Sequence, residues 1–194
     1  MNQYVNLETI KLFKNKSIEI MPLTVLTGVN GSGKTTILKA IEDQFSNTKH
    51  YKWTGFSIFK EHFEGEKGDI LLFEQPEAGL HPKFQLALAD VTLAYAQAGR
   101  TVVVETHSDH IINRVSRRMM ENEYIRKNSV IYFFNKDSQG NSSYEIIEVD
   151  PIRGIITNNE NFFMEFSSET EKILMAGYKN LQRNVKINKV VLNK

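Results

Sequence analysis

Residues 28–35 read Gly28-Val29-Asn30-Gly31-Ser32-Gly33-Lys34-Thr35, the spacing GxxxxGK[ST]. Glycines at these positions let the backbone curl so that several N–H groups converge on one anion. The N-terminus of a following helix adds partial positive charge at the same point. A lysine there reaches the β- and γ-phosphates of a nucleoside triphosphate, and the next hydroxyl can ligate Mg²⁺. Asn30, Gly31, Ser32, Gly33, Lys34, Thr35 and Thr36 are therefore the candidate phosphate cradle. Such a site also needs a carboxylate at the end of a neighbouring buried strand to hold Mg²⁺ through its waters. Ile70-Leu71-Leu72-Phe73-Glu74 supplies one, which pairs Thr35 with Glu74 as the expected metal residues. Beyond Glu74 stand Gln75 and Glu77, and a third apolar run, Val102-Val103-Val104, leads through Glu105-Thr106 to His107.

The elements needed to position these groups are legible around them. Leu23-Thr24-Val25-Leu26 reads as a buried strand entering the loop. Thr36 to Ile41 reads as the start of a helix that buries Ile37, Leu38, Ile41 and Phe45 at helical spacing. Ahead of them, Tyr4–Phe13 and Ser17–Ile20 predict two strands around a turn at Lys14-Asn15-Lys16, with Pro22 breaking the chain before the loop strand. Residues 46–68 are polar and read as irregular. A helix is expected from Pro82 to about Ala98, closed by Gly99. Another is expected from Asp109 to Met120, with Ile111, Ile112 and Val115 on one side. Val130–Phe134 and Tyr144–Val149 frame a hairpin turn at Asp137-Ser138-Gln139-Gly140, and a last helix is expected over Ser168–Ala176. Strands alternating with helices predict an α/β fold of P-loop NTPase type. Its sheet is mainly parallel and flanked by helices, with antiparallel hairpins at the N- and C-terminal ends.

Composition narrows the function class. The chain has 194 residues, 41% hydrophobic and 24% charged, with a formal charge of +1. That length predicts one domain with at most a small appendage, and the charge excludes strong global attraction to nucleic acid or acidic membrane. There is no cysteine, so disulfides, thiolate metal sites and cysteine nucleophiles are excluded. The opening MNQYVNLETIKLF does not read as a signal peptide, and no apolar run approaches the ~20 residues of a membrane span. The expectation is a cytoplasmic protein with no membrane contact of its own.

The stretches GVNGSGKTT, FEQPEAGLHP and VVVETHS, in this order and spacing, resemble the ABC-type ATPases of the SMC, RecF and OLD-nuclease kind. They are most similar to the compact bacterial predicted ATPases, many found in phage-defence operons. The likeness extends over residues 1–176, including Asp150-Pro151-Ile152-Arg153-Gly154 and Phe162-Phe163-Met164-Glu165 near its end. It implies one ABC-type ATPase domain over 1–176, a minimal arm at 46–69 and a basic tail over 177–194. It also implies ATP and Mg²⁺ as cofactors. Ala78-Gly79-Leu80-His81 takes the position of the loop that touches a second subunit, and His107 that of the switch histidine sensing the γ-phosphate.

Three departures qualify the resemblance. Where such ATPases place a glutamate as general base, this chain has Gln75. An amide can orient water but cannot take its proton, which leaves Glu77 as a substitute. The loop that reaches a partner's γ-phosphate is degenerate, its nearest match being Thr54-Gly55-Phe56-Ser57. Residues 36–69 are too short for a long arm, and only Gln44 is available as a metal-contacting glutamine. The candidate catalytic set is thus Gln75, Glu77 and His107.

The resulting expectation is a slowly hydrolysing ATPase. It forms an ATP-dependent homodimer and regulates a separate effector protein such as a nuclease or toxin, in phage defence or a DNA-related process. A non-hydrolysing, ATP-gated structural or sensor subunit is the alternative. A transporter nucleotide-binding subunit is a third, disfavoured by the missing signature loop. Lys179, Arg183, Lys186, Lys189 and Lys194 in the tail leave a nucleic-acid contact open. Arg114, Arg117, Arg118, Arg126 and Lys127 read instead as a solvated helix face.

Overall fold

The computed structural model describes residues 3–52 and 66–157. The sheet core is six-stranded, in the order β4-β5-β6-β3-β7-β8. The strands are β3 (Leu23–Gly28), β4 (Thr48–Lys52), β5 (Ile70–Glu74), β6 (Thr101–Glu105), β7 (Ser129–Lys136) and β8 (Ser142–Ile146). All neighbours pair in parallel except β7 with β8. Every residue of β3 is buried, as a parallel strand covered on both faces requires. This is the α/β P-loop NTPase fold, mainly parallel and flanked by helices, with an N-terminal antiparallel hairpin and a C-terminal one.

Alternation along the strands sorts the core. Leu26, Ile70, Leu72, Val103, Tyr132 and Phe134 pack on one face against Ile37, Leu38 and Ile41 of α1 (Lys34–Gln44). Between them, Leu71, Phe73, Val102, Val104, Ile131 and Phe133 are equally buried. They face the opposite side, where α2 (Pro82–Gln97) and α3 (Asp109–Glu121) pack together, α2 also meeting β6 and β3. A short α4 (Glu123–Lys127), not anticipated, follows α3 and starts at the Asn122 cap.

The N-terminal hairpin is shorter than its pattern suggested. β1 (Gln3–Asn6) pairs antiparallel with β2 (Ser17–Ile20). Residues 7–16, expected to be mostly strand, instead cross to β8. Ser142 N–H donates to Leu12 O (2.7 Å) and Lys14 N–H donates to Ser142 O (2.9 Å). The apolar side chains that gave residues 7–13 a strand pattern are spent on this crossing, Phe13 meeting Phe134 edge-on at 6.1 Å. The hydroxyls of Tyr132 and Tyr144 donate to Glu19 O and Ser17 O, tying β2 to the sheet.

Three further differences have local causes. Residues 48–52, expected to be irregular, form the edge strand β4, whose charged residues suit a sheet edge. The strand expected over Tyr144–Val149 breaks at Ile147, and Glu148–Asp150 (β9) turns back through Asp150-Pro151-Ile152-Arg153 onto Gly154–Ile156 (β10). The Asp150 carboxylate accepts the N–H groups of Ile152 and Arg153 (2.8 and 2.7 Å), so this family-like stretch builds a turn. Gln44 pairs through its side-chain amide with both backbone groups of Asn6 (2.8 and 2.9 Å), which gives it a structural task away from any metal. Thr54–Ser57, Phe162–Glu165, the helix expected at Ser168–Ala176 and the basic tail lie outside the described residues. So does the expected boundary at 176. Of the basic face, Arg117 and Arg118 pair with Glu121, Arg118 also with Asp90, and Lys127 with Glu123. Among the described residues no helix is long and apolar enough to cross a membrane.

Gly28 shows how tightly β7 fixes the loop. Its φ is +120°, and a Cβ there would stand 2.2 Å from the carbonyl oxygen of Phe134. Gly28→Ala is expected to destabilise the fold by at least about 1–3 kcal/mol, because backbone cannot move aside as a side chain can. A thermal melt within error of wild type would contradict this placement.

Candidate functional site

The P-loop leaves β3 at Gly28 and enters α1 at Lys34, with Gly31 at φ +71° and Gly33 at φ +93° as the left-handed steps that turn it. At Gly33 a side chain is excluded by the Phe13 ring, 2.7 Å from where a Cβ would stand. The chain crossing from the N-terminal hairpin thus closes one flank of the loop. The first N–H groups of α1 have no partner within the helix and point out of its end. Lys34, 4% exposed, donates from Nζ to the carbonyls of Gly28 (2.8 Å) and Val29 (3.0 Å), which holds the ammonium against the loop.

The Thr35 hydroxyl lies 3.0 Å from both carboxylate oxygens of Glu105 and donates to them. Glu105 ends β6, the neighbour of β3, in register with Leu26. Only 2% of it is exposed. Burial raises its carboxyl pKa above the ordinary value, opposed by the Thr35 hydrogen bond and the Lys34 charge. Glu74, expected to share the metal with Thr35, ends β5, one strand further out. Its carboxylate meets His50 Nε2 at 3.2 Å and Lys52 Nζ at 3.4 Å, and His50 in turn meets Glu42 through Nδ1 at 2.9 Å.

The loop after β5 carries the remaining candidates. Gln75 has φ +47°, the one positive value at a non-glycine among the described residues. Its N–H donates to Glu105 O at 2.9 Å, and the strained backbone turns its side chain into the cleft lined by the P-loop, Glu105 and His107. Glu77 points elsewhere. Its Oε1 accepts the His107 N–H at 2.7 Å, and burial pushes its carboxyl pKa up. Glu77 thus fixes the backbone on which His107 sits. Gln85 reinforces the link between the two loops, accepting from the Ser108 hydroxyl (2.5 Å) and donating to Leu80 O (2.8 Å). His107 itself is exposed at the cleft mouth. Burial, then the Lys34 charge, lowers its ring pKa, so the imidazole is held neutral. Ala78, Gly79 and His81 are exposed in the loop before α2, where His81 caps the helix and Leu80 is buried.

Asn30, Gly31, Gly33, Lys34, Thr35, Thr36, Gln75 and His107 therefore converge on one open cleft of about 280 Å³. Ser32 is buried beneath it, Glu77 stands behind His107, and Glu74 lies to one side. Glu105 was given no role on sequence grounds, although a carboxylate closing a β-branched run is a signal, since buried acids are uncommon. A cleft of about 460 Å³ beside Asp90, Arg118 and Glu121 is larger, but those side chains are engaged in ion pairs with one another. The hydroxyl and carboxylate oxygens gathered at Thr35 are hard donors of the kind Mg²⁺ takes, and the residues present fit that ion.

Comparison with known proteins agrees at the level of the domain. The family described as "AAA ATPase domain" matches residues 52–112, a stretch from the end of β4 into α3 that does not include the P-loop. An ABC transporter ATP-binding protein of Methanosarcina acetivorans is 34% identical over 50 residues, which make up 26% of this chain and 18% of that protein. Among solved structures, EssC (ATPases 2 and 3) from Geobacillus thermodenitrificans aligns with 75% of this chain and 34% of its own. The identity is 9% and the TM-score 0.36. The cytoplasmic domain of EssC aligns with 80% of this chain and 42% of its own, at 7% identity and a TM-score of 0.35. Likenesses that distant place no constraint on function. The P-loop and the sheet order give a P-loop NTPase fold, and the matched stretch is similar to an AAA ATPase domain.

Proposed function

We propose that this protein binds ATP with Mg²⁺ and hydrolyses it slowly, closing as a homodimer around the nucleotide to regulate a separate effector. The observation that carries the proposal is the convergence of Lys34, Thr35, Glu105, Gln75 and His107 on one cleft at the C-terminal end of a parallel sheet, where ligands bind in open α/β folds. Bound there, Mg²⁺ supplies positive charge to the triphosphate. The loop N–H groups and Lys34 hold the β- and γ-phosphates. Gln75 orients water without taking its proton. Neutral His107 offers a ring nitrogen toward the γ-phosphate position. An amide where a general base is expected supports slow turnover, and it equally supports a second reading in which ATP acts as a clamp and is not hydrolysed.

The dimer is argued from the exposed Ala78–His81 loop beside the cleft and from the open side that a P-loop leaves at the γ-phosphate. Burying a triphosphate between two faces is favourable only where opposing groups replace its water contacts. ADP lacks the γ-phosphate and is expected not to close the dimer. Light scattering with Mg²⁺ and a non-hydrolysable ATP analogue should give twice the mass found with ADP or without nucleotide. A monomer in all three conditions, or a dimer indifferent to nucleotide, overturns the switch. The effector, an agent such as a nuclease or toxin acting in phage defence or DNA-related work, belongs to the same proposal. Recovery of a stable partner with the full-length protein from its host is the test. The basic tail is its proposed contact for nucleic acid.

A further inference from the structure

Strand β7 runs on past the end of the P-loop strand. The register pairs Gly28, the last residue of β3, with Phe134, and the Val29 N–H donates to Phe134 O at 3.0 Å. Asn135 and Lys136 therefore stand beside the P-loop itself. Phe134 packs on the α1 side of the sheet, and alternation returns Lys136 to that side two residues later, where the loop enters α1. Its Nζ lies 3.8 Å from where a Cβ on Gly31 would stand, and its Cε 3.9 Å from the same point on Gly140 in the β7–β8 turn. The side chain thus lies across two glycines, one in each loop, and ends at Gly31. The turn also keeps this ammonium from the acid that follows it in the chain. The Asp137 carboxylate accepts the N–H groups of Gln139 (2.9 Å) and Asn141 (2.8 Å) and pairs with Lys14 Nζ at 2.7 Å. Lys136 is exposed, and among the described residues no carboxylate pairs with it.

We propose that Lys136 is a second cation for the nucleotide's phosphate chain, supplied by the β7–β8 hairpin. Gly31 has φ +71°, a left-handed step of the kind that turns loop N–H groups toward one anion. An anion held by those groups is within reach of an ammonium already resting on the same residue, because lysine carries its charge on a flexible four-carbon stem. Lys136 stands just outside the groups that line the cleft. It meets the phosphates by a swing of its own stem, with no movement of either loop. Lys34, buried at the start of α1, brings its charge from within the loop, and Lys136 brings a second from the exposed rim.

The inference rests on the nucleotide-binding reading above, and the experiment separates the two. Calorimetric titration with ATP and Mg²⁺ is carried out on wild type, Lys136→Gln, Lys136→Arg and Lys127→Gln, at low and at high salt, with thermal melts to confirm folding. Lys127 precedes Asn128, whose carbonyl accepts the Leu23 N–H, so Lys127→Gln makes the same change of charge at the opposite end of β3. Lys136→Gln should weaken ATP binding at least about threefold at low salt, the range of an exposed charge pair, and the difference should shrink at high salt. Lys136→Arg keeps the charge and should bind within that margin of wild type, as should Lys127→Gln. Wild-type affinity in Lys136→Gln, a loss shared by Lys136→Arg, or an equal loss in Lys127→Gln overturns the assignment. A loss that salt leaves unchanged overturns it as well. Wild type that binds no ATP at either salt overturns the nucleotide-binding reading instead, whatever Lys136 does.

Discussion

Lys34→Ala is expected to weaken ATP binding by roughly 10- to 100-fold, the effect of losing a hydrogen bond to a charged group, about 1.5–3 kcal/mol. The effect is local and electrostatic. Lys34 is almost fully buried at the N-terminus of α1, with its ammonium on the carbonyls of Gly28 and Val29. Among the described residues lining the cleft, Lys34 is the one lysine or arginine; the others include Leu12, Asn30, Thr35, Thr36, Gln75, Glu105 and His107. Removing the ammonium takes away the full positive charge that the loop's own lysine brings to the β- and γ-phosphates. It also uncovers two loop carbonyls, so part of the loss arises from loosening of the loop. A thermal melt of the variant separates that part from the electrostatic one. Unchanged affinity in a calorimetric titration, for a folded variant, would show that the phosphates do not lie in this loop.

Gln75→Glu carries the second large effect. A positioned general base contributes about 10²–10⁴-fold to a proton-transfer step. Restoring a carboxylate at the cleft is expected to raise steady-state phosphate release at least about tenfold. The gain should stop short of the full range, because Glu105 already places negative charge nearby and the new carboxylate must ionise beside it. Glu77 supplies the contrast. On sequence grounds Glu77 is the substitute base, which predicts that Glu77→Gln lowers turnover. With its Oε1 accepting the His107 N–H, the geometry gives a different expectation. Glu77→Gln keeps an acceptor and should change turnover little, whereas Glu77→Ala should lower it by freeing His107. If Gln75→Glu has no effect and Glu77→Gln abolishes phosphate release, the base is Glu77 and Gln75 does not limit the rate.

These two variants differ in how far each could be foreseen. The role proposed for Lys34 is legible in eight consecutive residues. The glycines that let the loop turn, the lysine and the hydroxyl are neighbours in the chain, and their geometry follows from local backbone preferences. The strands flanking the loop, the helix start at Pro82 and the stop at Gly99 are local signals of the same kind, and the helices and strands they predict are found within a few residues. The parallel character of the sheet also followed, because alternating strands and helices leave few other ways to bury both faces.

What only the tertiary structure decided is everything that depends on which strand lies beside which. Glu74 and Glu105 each end an apolar strand, and the chain gives both the same local pattern. Sheet order puts β6 next to β3, so the later acid, Glu105, meets Thr35. Glu77 and His107 are 30 residues apart and meet only because β5 and β6 end side by side. Leu7 to Phe13 had the alternation of a strand, but β8 and the P-loop offered those side chains a better place to be buried than a longer hairpin did. Periodicity says which side of an element is apolar. It does not say which neighbour will cover it, since that is settled by long-range packing in which many distant residues compete for the same surface.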